Sequence, residues 1–365
     1  MYWRGARLVS HTKMEERARG VTVAILAAVL FGASTPFCKL LLGQISPLLL
    51  AGLLYLGSGT GLALWIGFQR LIFKTKNQEA RLRLKDLPWL AAAIVAGGVV
   101  APILLMQGLA VTPASSASLL LNLEGVLTAL LAWFVFKENF DQRIMLGMAA
   151  ILLGGVLLSW QTRPELGLPW GALGIVGACF GWAIDNNLTR KVSAADPAQV
   201  AALKGLIAGT TNVLLAFYIG ARLPPISALA GAALLGFLSY GVSLTCFVLA
   251  LRHIGTARTG AYFSTAPFIG ALLSLALLHE QVSWLFWIAG GLMIFGVWLH
   301  LTERHVHLHR HESITHEHLH WHDEHHQHSH APNDPSGEPH SHVHRHEDLV
   351  HAHPHYPDLH HRHRH

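Results

Sequence analysis

Leu109–Leu158, LAVTPASSASLLLNLEGVLTALLAWFVFKENFDQRIMLGMAAILLGGVLL, holds two apolar runs on either side of a short charged turn, Lys137–Arg143. A run of about 20 apolar residues spans a bilayer core of roughly 30 Å. The first run carries a carboxylate, Glu124, near its centre. The layout returns 142 positions later, at Leu251–His300, with no gap. There Glu280 falls under Glu138, Gly296 under Gly154, and Ala271-Leu272-Leu273 under Ala129-Leu130-Leu131. Few residues are identical, so the match lies in the layout. Duplicated apolar helices of this kind build membrane proteins from internal repeats.

Working outward, the whole chain has the same texture. Of its 365 residues, 52% are hydrophobic and 13% charged, and the charges gather between long apolar windows. Ten such windows make this an all-α membrane protein and exclude a soluble globular domain. The net charge of +5 does not imply a nucleic-acid partner, because the basic residues sit in loops between the apolar runs. Cys38, Cys179 and Cys246 each fall inside a run and form no CxxC, which reads as packing. No A-x-A-like cleavage site follows a short apolar core near the N-terminus, so the first run is expected to be a retained helix. No Walker A run appears, which argues against ATP-driven work by this chain alone. Paired carboxylates and His-x-x-x-His are missing at membrane depth, so an enzyme is not expected, and no cofactor is required.

The expected helices are Gly20–Leu42, Pro47–Phe68, Leu87–Val111, Ser115–Phe136 and Ile144–Trp160, then Trp170–Leu188, Gln199–Ile219, Ile226–Leu251, Ala257–Leu278 and Trp284–Leu301. That divides the chain into an arm (1–19), a five-helix repeat (20–160), a second five-helix repeat (161–302) and a tail (303–365). Trp89, Trp160, Trp170 and Trp284 lie at run ends, where an aromatic belt belongs. With the N-terminus inside, the inner segments hold seventeen Lys and Arg, while the outer loops hold only Arg163 and Arg222. This asymmetry puts both termini in the cytoplasm and makes the two halves inverted. A substrate site is then expected near the midplane, between the halves.

Two five-helix halves, each closing on a Lys/His-Glu turn (Lys137-Glu138, His279-Glu280) and a Gly-rich last helix, resemble the EamA type of the drug/metabolite transporter superfamily. The first helix of each half adds to the likeness, with Phe31-Gly32 and Lys39 matched by Trp182-Ala183 and Arg190. Pro267 fits the family's mid-helix proline, whereas Gly125 departs from it. The resemblance covers about Val21–Leu301. It implies a secondary transporter that exports a small metabolite, such as an amino acid or related compound, across a bacterial inner membrane.

Polar residues inside the apolar runs are the candidates for a substrate pathway, because each is costly there unless paired, protonated or wetted. Glu124 is the foremost, as a proton carrier or a contact for an amino group. Ser118 and Asn122 share one face of its helix with Ser115, while Glu124 and Thr128 lie opposite, so which face lines a cavity is open. Asp185 and Asn186 fall at about the depth of Lys204 on the next helix, as a pathway patch or an ion pair. Gln107 and Tyr262 are weaker candidates. Lys39 is expected to snorkel to the headgroups. Gly154-Gly155 and Gly290-Gly291 are expected to bring helices close.

His300–His365 contains 24 of the 27 histidines, and with no apolar periodicity it is expected to be disordered. His305, His307, His309, His311, His316 and His318, then His320, His322, His325, His326, His328 and His330, are candidate ligands for zinc, nickel, cobalt or copper. No fixed tetrahedral spacing selects a set among them. Expected partners are the bilayer, a small-molecule substrate and such metal ions. The competing readings are a divalent-metal exporter fed by the tail and a membrane metal sensor.

Overall fold

The computed structural model describes residues 18–73, 86–136, 142–161, 169–189, 197–254, 256–301, 306–311, 315–320, 340–345 and 349–354. Outside these lie most of the basic arm and of the Arg70–Lys85 loop, the Lys137-Glu138 turn, Arg163, Arg190 and Lys191. So do His305, His322, His325, His326, His328 and His330.

The first half runs α1 (Ala18–Leu41), α2 (Pro47–Phe73), α3 (Leu87–Val111), α4 in two pieces (Ala114–Leu120 and Leu123–Phe136) and α5 (Gln142–Gln161). The second runs α6 (Trp170–Thr189), α7 (Pro197–Tyr218), α8 (226–254), α9 in two pieces (Thr256–Phe263 and Ala266–Leu278) and α10 (Trp284–Leu301). Among the described residues, nine helices are long and apolar enough to cross a membrane. The exception, α6, has the length, at 20 residues, but Asp185-Asn186-Asn187 lowers its apolarity. Large apolar side chains such as Leu64, Trp65, Phe68 and Leu71 on α2 are exposed. That is unfavourable in water and ordinary against lipid, so the chain is a multi-pass membrane protein. Trp89, Trp160, Trp170 and Trp284 are likewise exposed, as belt positions require.

Irregular backbone recurs at equivalent places in the two halves. α3 widens to a π-helix over Ile94–Val100, and α8 over Phe237–Val242. α4 breaks at Leu121–Asn122, and α9 at Ser264–Thr265. Each break has a local cause. Asn122 Nδ2 donates to the Leu119 carbonyl at 2.9 Å, and 142 positions on, Ser264 Oγ donates to the Ala261 carbonyl at 2.8 Å. Polar side chains that bond backbone three residues back compete with helix hydrogen bonds. Pro267 follows the second break, and the first forms without proline.

The halves pack through small residues. α2 crosses α7 where Gly59 meets Gly205, and α5 crosses α10 where Gly147 meets Gly296. α3 meets α6 where Gly108 meets Gly171 and Ile175, and α1 meets α9 where Gly32 meets Ala266 and Gly270. A Cβ at any of these glycines would strike the facing helix, so the backbones approach closely without side-chain spacers. Of the glycines expected to pack, Gly154 does so against Ala289 and Met293 and Gly155 against Leu123, but Gly291 faces open space.

Of the tail, four short stretches are among the described residues. Within it, β1 (Val306–His311) pairs antiparallel with β4 (Leu349–Pro354), and β2 (Thr315–His320) with β3 (His340–Arg345). The His-x alternation has the period of a strand, a pattern that does not need a helical core. The register sets His316 opposite His344, His318 opposite His342 and His320 opposite His340.

Candidate functional site

The break in α4 places Glu124 in the first turn of the second piece. The unsatisfied N–H groups of a helix start favour a carboxylate there. Glu124 Oε1 accepts a hydrogen bond from Asn186 Nδ2 of α6 at 2.9 Å, and the same amide lies 3.4 Å from Thr128 Oγ1. Asn187 Nδ2 donates to the Thr128 carbonyl at 3.2 Å and to the Ala183 carbonyl at 2.9 Å. Asn186 and Gly125 are exposed, and a Cβ on Gly125 would have nothing within 4 Å. The Glu124–Asn186 pair therefore stands beside open space on this face of α4.

The opposite face of α4 has a different environment. Ser115 and Ser118 are fully buried, Ser118 against Gly270, and the Asn122 amide is spent on Leu119 and on Met293 Sδ at 3.9 Å. The question of which face meets open space is therefore answered in favour of Glu124 and Thr128. Of the residues singled out on this helix, Glu124 joins Asn186, while Ser118 and Asn122 sit in packing.

Asp185 and Lys204 come together as a buried ion pair, with Lys204 Nζ 2.6 Å from Asp185 Oδ1 and 2.7 Å from Oδ2. Thr189 Oγ1 donates to Asp185 Oδ1 at 2.8 Å. The carboxylate packs on Gly97 in the π segment of α3, where only a glycine leaves room. The Gly97 carbonyl accepts from Tyr55 Oη at 2.8 Å and from Trp182 Nε1 at 2.9 Å. The Gly98 carbonyl accepts from Asn212 Nδ2 at 3.1 Å. Side chains from α2, α6 and α7 thus bond backbone carbonyls of the π-helix. From Tyr55 a series of ring contacts continues through Tyr240 (5.6 Å), Phe31 (5.8 Å) and Phe263 (5.4 Å).

Gln107 is exposed towards the end of α3, away from these groups, and Tyr262 packs with Ala24, Ala250 and Ile254. Lys39 is half-buried near the end of α1. Its ammonium donates to the Leu109, Ala110 and Thr112 carbonyls at 2.6, 3.1 and 2.8 Å. Tyr55, Thr189 and Asn187 are not among the residues expected from the sequence, where Trp182 enters only through the family likeness. Trp182 stood in the quoted Trp182-Ala183 pair, and Thr189 lies one turn beyond Asp185, so both had a signal. Tyr55, in a uniformly apolar run, had none.

Broken and π-distorted helices at equivalent places in two similar halves are the architecture of a membrane transporter. The EamA-like transporter family matches residues 18–160 and again 169–302. The chain belongs to that family, a member of the drug/metabolite transporter superfamily. It is 27% identical over 299 residues to an uncharacterized transporter of Methanothermobacter thermautotrophicus, covering 78% of this chain and 86% of that one. It is 24% identical over 151 residues to the uncharacterized inner membrane transporter YedA of Escherichia coli, covering 40% and 49%. A third relative, the probable 4-amino-4-deoxy-L-arabinose-phosphoundecaprenol flippase subunit ArnE of Pseudomonas paraeruginosa, is 38% identical over 116 residues, 32% of this chain and 96% of that one. A solved crystal structure shares the fold, with a TM-score of 0.57 at 17% identity over 76% of this chain and 95% of that one.

Proposed function

We propose that the chain is a ten-helix secondary transporter of two inverted five-helix halves, and that it exports a small metabolite such as an amino acid or related compound. In this reading both termini lie in the cytoplasm and the membrane is a bacterial inner membrane. The observation that carries it is the Glu124–Asn186 pair, 2.9 Å apart beside the open space at Gly125. A carboxylate and an amide together suit a substrate with an amino group: the carboxylate takes the charge and the amide fixes orientation. The ArnE relative is named for a substrate that carries an amino group, which agrees with this chemistry.

The test is Glu124→Gln, which keeps shape and hydrogen bonding but removes the charge. Uptake of a radiolabelled amino acid panel into inside-out vesicles should fall about tenfold or more, the scale of a lost charge-assisted contact. Membrane levels should stay normal. Full uptake by the Gln variant would sink the reading.

A second reading is divalent-metal efflux or sensing through the tail, and the matched histidine register of β2 and β3 favours it. Against a metal path through the membrane, no group of three or more His, Cys, Asp or Glu able to hold a metal ion occurs among the described residues.

A further inference from the structure

Two charged side chains hold the turn between α3 and α4. Lys39, from α1, gives its ammonium to the carbonyls of Leu109, Ala110 and Thr112. Glu280, from the turn between α9 and α10, accepts from the Ala114 N–H at 2.6 Å and the Ser115 N–H at 2.9 Å. Each end of the turn has the sign of charge that its helix favours: a cation on the last carbonyls of α3, an anion on the first N–H groups of α4. Glu280 lies 166 residues from Ala114, so its contact joins the two halves.

Burial shows that this end is the shut one. Ala117–Leu121 of α4 are all buried. At the equivalent positions of α9, Thr259 is buried, while Gly260, Ala261, Tyr262 and Phe263 are only half-buried. Ser118 is packed against Gly270, whereas its counterpart Gly260 has nothing within 4 Å of a Cβ. Halves with the same layout but unlike packing are in a state closed at one end and loosened at the other. Among the described residues His279 is the one non-glycine with positive φ, at 51°, and it directly precedes Glu280. A side chain held in left-handed backbone is disfavoured and persists where the surroundings impose it.

We propose that Lys39 and Glu280 are positioning residues that latch this end of the pathway shut, and that Glu280 leaves the α4 N–H groups when that end opens. The inference rests on the transport reading, in which the latched end faces outside.

The test uses sided labelling of the full chain carrying Gly125→Cys, next to Glu124 in the open space. Cys38, Cys179 and Cys246 are buried, and the unsubstituted chain supplies the background. A membrane-impermeant maleimide is added to intact cells or to inside-out vesicles. The Gly125→Cys chain should label readily in vesicles and slowly in cells. Adding Glu280→Gln or Lys39→Gln should raise labelling in cells about tenfold or more, the shift expected for losing charge-assisted hydrogen bonds from the shut state. Lys39→Arg, which still donates to carbonyls, should label like its parent. A purely structural cap would lower the amount of protein without changing the ratio between sides. Unchanged cell labelling in folded Glu280→Gln, or failure of both Gln variants to reach the membrane, would overturn the latch. If the Gly125→Cys chain labels only from outside and Glu280→Gln opens the inner side, the latch stands and the assigned orientation fails.

Discussion

Asp185 and Lys204 set opposite charges 2.6 Å apart, with side chains only 9% and 17% exposed. Such a pair adds little net stability, but breaking it strands a charge in a poor dielectric. Asp185→Asn or Lys204→Gln should therefore each cost about 3–5 kcal/mol and lower the amount of folded protein. The double variant should recover part of that loss in a detergent melting assay. Additive losses would mean that the two side chains do not interact. This pair was legible in the sequence because depth can be counted along consecutive helices, and unlike charges at one depth have few other partners. The partners of Lys39 were not legible in the same way. Its depth near a helix end suggested the headgroups, but the α3 carbonyls it meets are 70 or more residues away, and local spacing carries no trace of them.

At the scale of the element, the π segment of α3 is the distortion that builds the inner face of the site. It turns the Gly97 carbonyl towards Tyr55 and Trp182 while the Gly97 Cα leaves room for Asp185. Gly97→Ala should push a methyl group into the Asp185 carboxylate. It should destabilise by about 1–3 kcal/mol, as overpacking does, despite alanine's better helix propensity. Gly291→Ala, with open space around it, should be neutral or gain a few tenths of a kcal/mol. Equal melting temperatures for the two variants would show that the Gly97 approach is not tight. Helix existence was readable here from apolar run length, but the irregularities were not. The α4 break rests on one asparagine bonding backward, and an asparagine in an apolar run reads equally well as a pathway residue. The two faces of α4 were likewise open in the sequence, and it is the burial of Ser115, Ser118 and Asn122 against the open space at Gly125 that separates them.

For the whole molecule, the repeat is the feature most legible in sequence, since an offset of 142 residues aligns the His279-Glu280 turn and also the later-found π segments and breaks. If the halves are inverted, reporter fusions after Arg70 and after His300 should both read cytoplasmic, and an external signal at either breaks that arrangement. The paired strands of the tail were not legible, because a His-x alternation has no apolar face to announce a fold. The strands of the tail pair with one another, β1 with β4 and β2 with β3. Helices and tail are therefore expected to act as separable modules. A chain ending at Arg304 keeps His300, whose Nε2 lies 3.1 Å from the Ile144 carbonyl at the α5–α10 crossing, and loses 23 of the 27 histidines. On the metabolite reading it should insert normally and transport at the parental rate, while any nickel or zinc binding by the tail, measured by calorimetry, disappears. In the full-length chain that binding should weaken below about pH 6, because protonated imidazole, with an ordinary pKa of about 6.5, is no ligand. If efflux of metal is the true activity, the truncation instead sensitises cells to one ion, and full-length protein in vesicles moves that ion. Metal uptake with no metabolite activity would replace the metabolite reading altogether.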